Sequence, residues 1–229
     1  MMHEKKIVLD ARLSEIAQMV GRCERYADIG CDHGRLGAYL LQRGLVNQAL
    51  LMDISDPSLD KARALIRLLG FEDRTRFLVG DGAEKLDCSV DCVVIAGMGG
   101  TTAAGIVERG RDKLGDARLI FQANVANPEL RERLTRAGYR ISDERVVKDG
   151  RRHYIIIEAV PGQASYDERE LVVGPVLLRD KPAELAGYAE FRLRVARKAL
   201  IGAEHGGAED EINALRKEIR IWEDVQACL

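Results

Sequence analysis

The sequence predicts an α/β protein in which a doubly wound, mostly parallel sheet is followed by a helical hairpin. Short apolar runs alternate with amphipathic helix patterns from residue 26 onward, which is typical of βαβ units. A glycine-rich turn joins the first apolar run directly to the helix after it. After residue 161 the alternation stops and two longer helix patterns follow. We therefore divide the chain into an α/β domain, 1–162, and a helical-hairpin domain, 163–229.

The elements of the α/β domain follow one another regularly. Asp10 is the expected cap of a first helix. Five apolar runs predict parallel strands, at 26–30, 48–54, 74–79, 90–96 and 119–122. Helix patterns lie after them, at 34–43, at 57–69, from within 99–104, and from Asn127-Pro128-Glu129, where Asn127 is the expected cap.

The chain then changes direction. Two extended runs, 139–147 and 153–160, are joined by a glycine-containing turn, which predicts an antiparallel hairpin. Parallel strands closed by such a hairpin are the sheet plan of the class I, Rossmann-like fold of S-adenosylmethionine (SAM)-dependent methyltransferases. Two tail helices separated by Gly202–Gly207 predict an antiparallel helical hairpin. We expect the α/β domain to carry its own core without this tail.

Composition excludes several classes of protein. The 229 residues carry a net charge of −2, which gives no overall attraction to nucleic acid. No apolar run reaches the length of a membrane span, and the first residues do not form a secretory signal. The five cysteines include no C-x-x-C pair, which argues against a disulfide framework and a zinc site. We expect a cytoplasmic protein without metal.

Basic residues are concentrated between 131 and 152. This stretch holds eight Arg or Lys and four Asp or Glu, a local charge of +4. A solvated helix face with a charged hairpin turn explains it, and a surface that contacts phosphates is the functional alternative. Under that alternative the candidate phosphate contacts are Arg131, Arg133, Arg151 and Arg152.

The turn after the first strand indicates the ligand. Its spacing is Gly30-x-Asp32-x-Gly34 and not the G-x-G-x-x-G of dinucleotide enzymes. A carboxylate at this point repels a pyrophosphate but suits a cationic ligand without phosphate. SAM, which carries a sulfonium and an amino group, is such a ligand.

Three acids follow three strands in register with that turn. Asp28 is placed to take the methionine amino group, Asp53 the ribose hydroxyls, and Asp81 the adenine amino group. Each acid alone is a common strand-end residue; together they predict a SAM site. The candidate cofactor contacts are Asp28, Gly30, Asp32, Gly34, Asp53, Ile54, Asp81, Gly82 and Gly97.

The fourth strand ends in Gly97-Met98-Gly99-Gly100, without the prolines and aromatic residue with which many amine methyltransferases hold their target. These glycines fit either a tight helix start or an open floor for a base. His33 beside Asp32 fits acid–base chemistry or a structural role. The candidate catalytic residues are Asp32, His33 and Asn124. The other candidate substrate contacts are Arg12, Met98, Gly99, Gln122 and Tyr154.

These motifs together resemble the bacterial tRNA (adenine-22-N1)-methyltransferase (TrmK) family. The shared segments are 9–13 with 16–17, 27–34, 80–82, 95–100, and Gly138-Tyr139-x-Ile141 with Glu144 and 154–156. The resemblance implies SAM as cofactor, N1 of a tRNA adenine as methyl acceptor, and a helical tail that helps to hold tRNA. The chain departs from the family at Ala123, where proline is usual between Gln122 and Asn124, and in the segment 52–56.

Other functions stay open at this point. The same residues suit a SAM-dependent methyltransferase of another RNA adenine, a protein or a small molecule. A non-catalytic SAM-binding interaction module is an alternative of a different class, although the intact acids Asp28, Asp53 and Asp81 argue against it. We expect a monomer or a weak dimer.

Overall fold

A computed structural model describes residues 6–229. Residues 1–5, where the predicted first domain begins and where no secretory signal was expected, lie outside the described residues. Seven strands form one sheet: β1 (Cys23–Ile29), β2 (Val46–Asp53), β3 (Thr75–Val79), β4 (Cys92–Met98), β5 (Arg118–Ala123), β6 (Tyr139–Asp149) and β7 (Arg152–Pro161).

The order of the strands across the sheet is β3-β2-β1-β4-β5-β7-β6. Strands β1 to β5 pair in parallel, and β7 runs antiparallel to both β5 and β6. The order changes direction beside β1, so the carboxyl ends of β1 and β4 flank the crevice in which ligands of such sheets bind. The predicted fold class is confirmed, including the closing hairpin.

The described residues form nine α-helices: α1 (Ala11–Val20), α2 (Arg35–Gln42), α3 (Asp56–Leu69), α4 (Gly100–Leu114), α5 (Asn127–Arg136), α6 (Glu168–Val173), α7 (Pro175–Asp180), α8 (Glu184–Ala203) and α9 (Glu209–Ala227). Helices α8 and α9 are the predicted hairpin. The two short helices before it, α6 and α7, were not predicted, because each is too short for a helical period to stand out from a single apolar run.

Of the two predicted helix caps, one is confirmed and one is wrong. Asp10 caps α1, since its Oδ1 accepts a hydrogen bond from the Leu13 amide at 2.7 Å. The prediction that Asn127 caps α5 is wrong: Asn127 is the first helical residue, and Ala126 stands at the cap with a φ of 60°. The loop before α5 is pressed against α4, where a Cβ on Gly100 would come within 2.2 Å of the Ala126 carbonyl oxygen. Gly100 is therefore required by a close backbone approach.

Two cores lie on opposite faces of the sheet. One is built from α1, α2 and α3 against the sheet, and the other from α4 and α5. The tail joins the second core, because Leu177, Tyr188 and Trp222 belong to the same buried cluster as Ile95 and Phe121. The core on the other face lies entirely within residues 1–162, from Ile16 to Ile156. The α/β part therefore has one core of its own and shares the other with the tail, and the domain boundary at residue 162 stays a prediction.

A buried ion pair joins the tail to the sheet. Arg131 on α5 is 1% exposed, and its Nε donates to Glu144 Oε1 on β6 at 2.7 Å. Its Nη1 donates to the Leu171 carbonyl at 2.8 Å, while Glu144 Oε2 accepts from the Val176 amide at 3.0 Å. The prediction that Arg131 contacts phosphate is therefore wrong: the side chain holds α6 and α7 on the sheet.

Candidate active site

The turn after β1 adopts a conformation that few residues tolerate. Gly30, Asp32 and Gly34 have φ values of 79°, 48° and 64°, all in the left-handed region. Aspartate is among the residues that enter this region at low cost, so an acid is compatible with the turn. Gly34 stands at the N-terminal cap of α2, and the Asp32 side chain is 72% exposed. The turn thus presents a carboxylate at the carboxyl edge of the sheet.

Asp53 joins the ends of three strands. Its Oδ2 accepts from the Asp32 amide at 3.0 Å, and its Oδ1 accepts from the Ser55 amide at 2.9 Å. Its carbonyl oxygen accepts from the Gly80 amide at 3.0 Å, directly before Asp81. Beside it, the Ile54 side chain is an exposed apolar group. The candidate residues that follow β1, β2 and β3 therefore lie at one edge.

Asp81 lies at the outer end of this edge. Its side chain is exposed, and its Oδ1 lies 3.5 Å from Nη2 of Arg109 on α4. Gly82, which opens a short 3₁₀ turn, has a φ of 76° and is buried against Ile106. Asp81 is thus partly neutralised by a basic neighbour that sequence reasoning missed.

A cavity of about 340 Å³ opens at this edge. Six of the residues that line it are Arg12, Asp28, Gly30, Asp32, His33 and Gly97. A guanidinium and a buried carboxylate therefore face one small space, which we call the charged cavity. Arg12 was predicted to contact the substrate, and the structure places it at the candidate cofactor cavity.

Asp28 is the buried acid of the site, with 5% of its surface exposed. Burial raises the pKa of Asp28 to about 7; the Asp53 carboxylate acts in the same direction, and the Arg12 guanidinium opposes it. A carboxyl that is half protonated near neutrality is poised to ionise when a cation binds beside it.

A chain of polar side chains crosses the ends of β4 and β5. Arg12 Nη1 donates to Gln122 Oε1 at 2.7 Å, Gln122 Nε2 donates to Asn124 Oδ1 at 3.1 Å, and Asn124 Nδ2 donates to the Gly97 carbonyl at 2.9 Å. The Arg12 guanidinium also lies 5.8 Å from the centre of the Tyr154 ring. Asn124 is held in place although Ala123 replaces the usual proline.

Gln122 was predicted to contact the substrate, and this prediction is wrong. The residue is 1% exposed, and both atoms of its amide are used by Arg12 and Asn124. Gln122 instead orients Asn124, which is exposed at the end of β5. Sequence spacing places both residues at the correct strand end but cannot tell which of them faces outward after the strand has ended.

A second cavity, of about 450 Å³, begins at Asn124. Asn124, Tyr154, Arg151 and Arg152, all predicted from the sequence, line it together. Three aromatic rings add to its wall, from His153 on β7 and from Tyr188 and Phe191 on α8. We call this cavity the aromatic cleft.

The aromatic cleft holds polar atoms that lack partners. His153 Nδ1 and Asn127 Oδ1 are buried and have no hydrogen-bond partner among the described residues. The His153 and Phe191 rings are 5.5 Å apart between centroids. The residues from α8 were missed because an aromatic pair three residues apart on a helix equally well predicts core packing.

The remaining candidates lie at the rims. Met98 covers the turn, since a Cβ on Gly30 would come within 3.0 Å of Met98 Cε. Gly99 stands at the N-terminal cap of α4. His33 Nε2 lies 3.4 Å from Asp32 Oδ1 and 3.1 Å from Lys61 Nζ, so an ammonium competes for the same ring nitrogen.

Arg133 does not reach either cavity. Its guanidinium is bound by Glu108 on α4, to which Nε donates at 2.8 Å, and its Nη1 donates to the Thr101 carbonyl at 3.1 Å. The Arg133 guanidinium is thus engaged by neighbouring residues of α4, and its contact with phosphate stays a prediction. Four arginines of the basic stretch 131–152 are in ion pairs, whereas Arg151 and Arg152, at the turn between β6 and β7, line the aromatic cleft.

Neither a membrane-spanning helix nor a metal-binding cluster is found among residues 6–229. No helix there combines the length and apolarity that a membrane crossing requires. Within the same residues, no three His, Cys, Asp or Glu side chains come together as a metal site.

The chain is similar to several known proteins. A family model described as a methyltransferase domain matches residues 9–157. A tRNA (adenine(22)-N(1))-methyltransferase of Bacillus subtilis is 33% identical over 186 residues, which cover 78% of each protein. A crystal structure of the B. subtilis M1A22 tRNA methyltransferase TrmK has a TM-score of 0.84 at 25% identity, covering 96% of this chain and 99% of that one.

A second solved structure resembles the fold. It is TrmK of Mycoplasma capricolum in complex with S-adenosyl-homocysteine, with a TM-score of 0.82 and 22% identity. The match covers 96% of this chain and 98% of the other. The similarity therefore includes the helical tail as well as the α/β part.

Proposed function

This chain belongs to the methyltransferase-domain family and, within it, to the tRNA (adenine(22)-N(1))-methyltransferases, and we propose that it transfers a methyl group from SAM to N1 of adenine 22 in tRNA. One observation carries the proposal: Asn124 links the two cavities. Its side chain donates to the carbonyl of Gly97, which lines the charged cavity, and the residue itself lines the aromatic cleft. A small cationic ligand and a flat base thus have adjoining places.

The charged cavity suits SAM. Asp28 offers a carboxylate to the methionine ammonium, and Arg12 offers a guanidinium to the methionine carboxylate. Asp53 keeps free lone pairs for the ribose hydroxyls, because each of its oxygens accepts one amide hydrogen bond. When bound, SAM supplies an electrophilic methyl group on a sulfonium. The exposed Ile54 and the Asp81 carboxylate lie where the adenine end would extend.

Adenine N1, the methyl acceptor, needs little help from a general base. Adenine N1 carries an in-plane lone pair, so no proton has to be removed before it attacks. Positive charge moves onto the adenine ring as the bond forms, and the exposed Asp32 carboxylate stabilises that charge. Asn124, oriented by Gln122, is the group we assign to hold the base. His33 has a secondary role, since Lys61 shares its ring nitrogen.

Binding must supply the energy that turns the nucleotide out of the tRNA fold, a few kcal/mol. The aromatic cleft supports this step, because Tyr154, Tyr188 and Phe191 offer ring surface and Arg151 and Arg152 offer positive charge. We also propose that the enzyme works in the cytoplasm, where its substrate tRNA is made, as a monomer or a weak dimer. The segment 163–229 then serves as one wall of the cleft.

A methylation assay tests the proposal. The protein is incubated with methyl-labelled SAM and tRNA transcripts that carry either adenine or guanine at position 22. We expect label in the adenine transcript alone. Equal labelling of both transcripts, or labelling of neither, would reject the assignment of the target.

A further inference from the structure

A third cavity, separate from the two that the proposed function uses, lies beyond the aromatic cleft. Its volume is about 340 Å³, and it shares Arg151, His153 and Phe191 with the cleft. The His153 and Phe191 rings therefore stand at the boundary between the two spaces. The other side chains that line the third cavity include Lys148 and Arg194.

The cations of this cavity are placed by two elements. Lys148 on β6 and His153 on β7 are directly opposite in the antiparallel ladder, which puts their side chains on one face. Arg194 lies one helical turn after Phe191 on α8, with its guanidinium 5.7 Å from the centre of that ring. Together with Arg151 they oppose a single lining carboxylate, Glu190.

The wall between the spaces is an uncharged stacking surface. Burial lowers the pKa of His153, and the nearby cations Lys148 and Arg194 lower it further, which favours the neutral imidazole. Gly187 on α8 leaves room at this wall, because a Cβ there would lie 3.7 Å from His153 Nε2. Positive charge around two rings is the chemistry with which proteins bind single-stranded nucleotides.

We infer that the third cavity binds the nucleotide next to the target adenosine in the tRNA chain, with that nucleotide's phosphate on Lys148 and Arg194. The inference rests on the proposed function for the identity of the RNA. A turned-out base in the aromatic cleft leaves its neighbour at the boundary formed by His153 and Phe191. The rings then separate the two nucleotides, and the cations hold the phosphate that connects them.

The test combines a protein change with a substrate change. Arg194→Ala is compared with wild type on ligated full-length tRNA in which one phosphate flanking the target carries a neutral methylphosphonate. With unmodified tRNA we expect the variant to raise Kd about 10-fold and to reduce the salt slope by about one. At one of the two flanking phosphates, the neutral linkage should weaken tRNA binding by the wild type about as much as Arg194→Ala does. The same linkage should not change the tRNA affinity of the Arg194→Ala variant, because that variant has already lost the contact.

Two controls separate this contact from general damage. Arg22→Ala removes an exposed cation just before β1, at the opposite edge of the sheet, and should leave tRNA affinity unchanged. Gly187→Leu should block the cavity and raise Kd for tRNA, whereas Gly202→Leu on the same helix meets open space and should not. SAM affinity, measured by calorimetry, should stay at the wild-type value in all four variants.

The outcomes are distinct. The inference would be overturned if, at each of the two flanking phosphates, the losses of tRNA affinity from Arg194→Ala and from the neutral linkage multiply as independent effects. It would also be overturned if Arg194→Ala binds tRNA with wild-type affinity. Because tRNA affinity is measured without methyl transfer, this result does not depend on activity. A wild-type protein that binds tRNA with this coupling but labels no adenine would reject the proposed function and leave the RNA site standing.

Discussion

Asp28→Asn is expected to make the cofactor-free protein more stable at pH 8 than the wild type, although it removes a group that we assign to cofactor binding. The reason is the cost of keeping a buried carboxylate ionised. The pKa of Asp28 is raised from an ordinary value of 3.8 to about 7. Groups that serve ligand binding commonly destabilise the ligand-free protein.

The sign and size follow from linkage. A carboxyl whose pKa is higher in the folded than in the unfolded state takes up protons on folding, so its stabilising contribution is full below about pH 4 and is lost as the pH rises to about 7. From pH 5 to pH 8 the wild type should lose about 2.5 kcal/mol through this group. The asparagine variant has no such proton and should lose none of it.

Urea unfolding without SAM, at pH 5 and pH 8, measures the difference. We expect the difference in free energy of unfolding between Asp28→Asn and wild type to shift by about 2.5 kcal/mol in favour of the variant from pH 5 to pH 8. Asp112→Asn, which changes an exposed carboxyl on α4, should shift by much less. A difference in free energy of unfolding that is the same at pH 5 and pH 8 would refute this account of Asp28. SAM affinity of the wild type should rise about 10-fold from pH 6 to pH 8, and in the variant it should be weaker and flat.

Three further changes test the packing and the polar chain. Gly100→Ala should destabilise the protein by about 2 kcal/mol or more in urea unfolding because of the contact with the Ala126 carbonyl, whereas Gly202→Ala in open space should stabilise it by about 0.5–1 kcal/mol. Gln122→Ala should slow methyl transfer about 10-fold in single-turnover assays with SAM affinity retained, and an unchanged rate would remove its positioning role. Arg131→Ala should cost about 3–5 kcal/mol because it leaves Glu144 buried and unpaired; a loss below 1 kcal/mol in urea unfolding would contradict that account.

Local signals in the sequence predicted the fold well. The turn Gly30-x-Asp32-x-Gly34 has a conformation that only a few residue types allow, so its residues indicate its shape. The strands are apolar runs bounded by such turns, and the hairpin is marked by the glycine between β6 and β7. Each of these features depends on residues close together in the chain.

The errors concern contacts between distant segments. Arg131 is an ordinary basic helix residue in sequence, and only the packing of α6 and α7 makes it buried. Gln122 and Asn124 look equivalent, until Arg12, 110 residues away from Gln122, takes one side of its amide. The ring wall of the aromatic cleft requires α8 to cross the hairpin turn, and no local pattern reports that crossing.

The identity of the methylated atom tests the central claim most directly. Wild-type enzyme is allowed one turnover with saturating SAM and tRNA, and the digested nucleosides are separated by chromatography and identified by mass spectrometry against standards. The account predicts 1-methyladenosine from position 22, and a rate that falls about 10²–10³-fold in Asp32→Asn, in which the charge beside the reacting ring is lost. N6-methyladenosine as the product, or a full-rate Asp32→Asn enzyme, would contradict it.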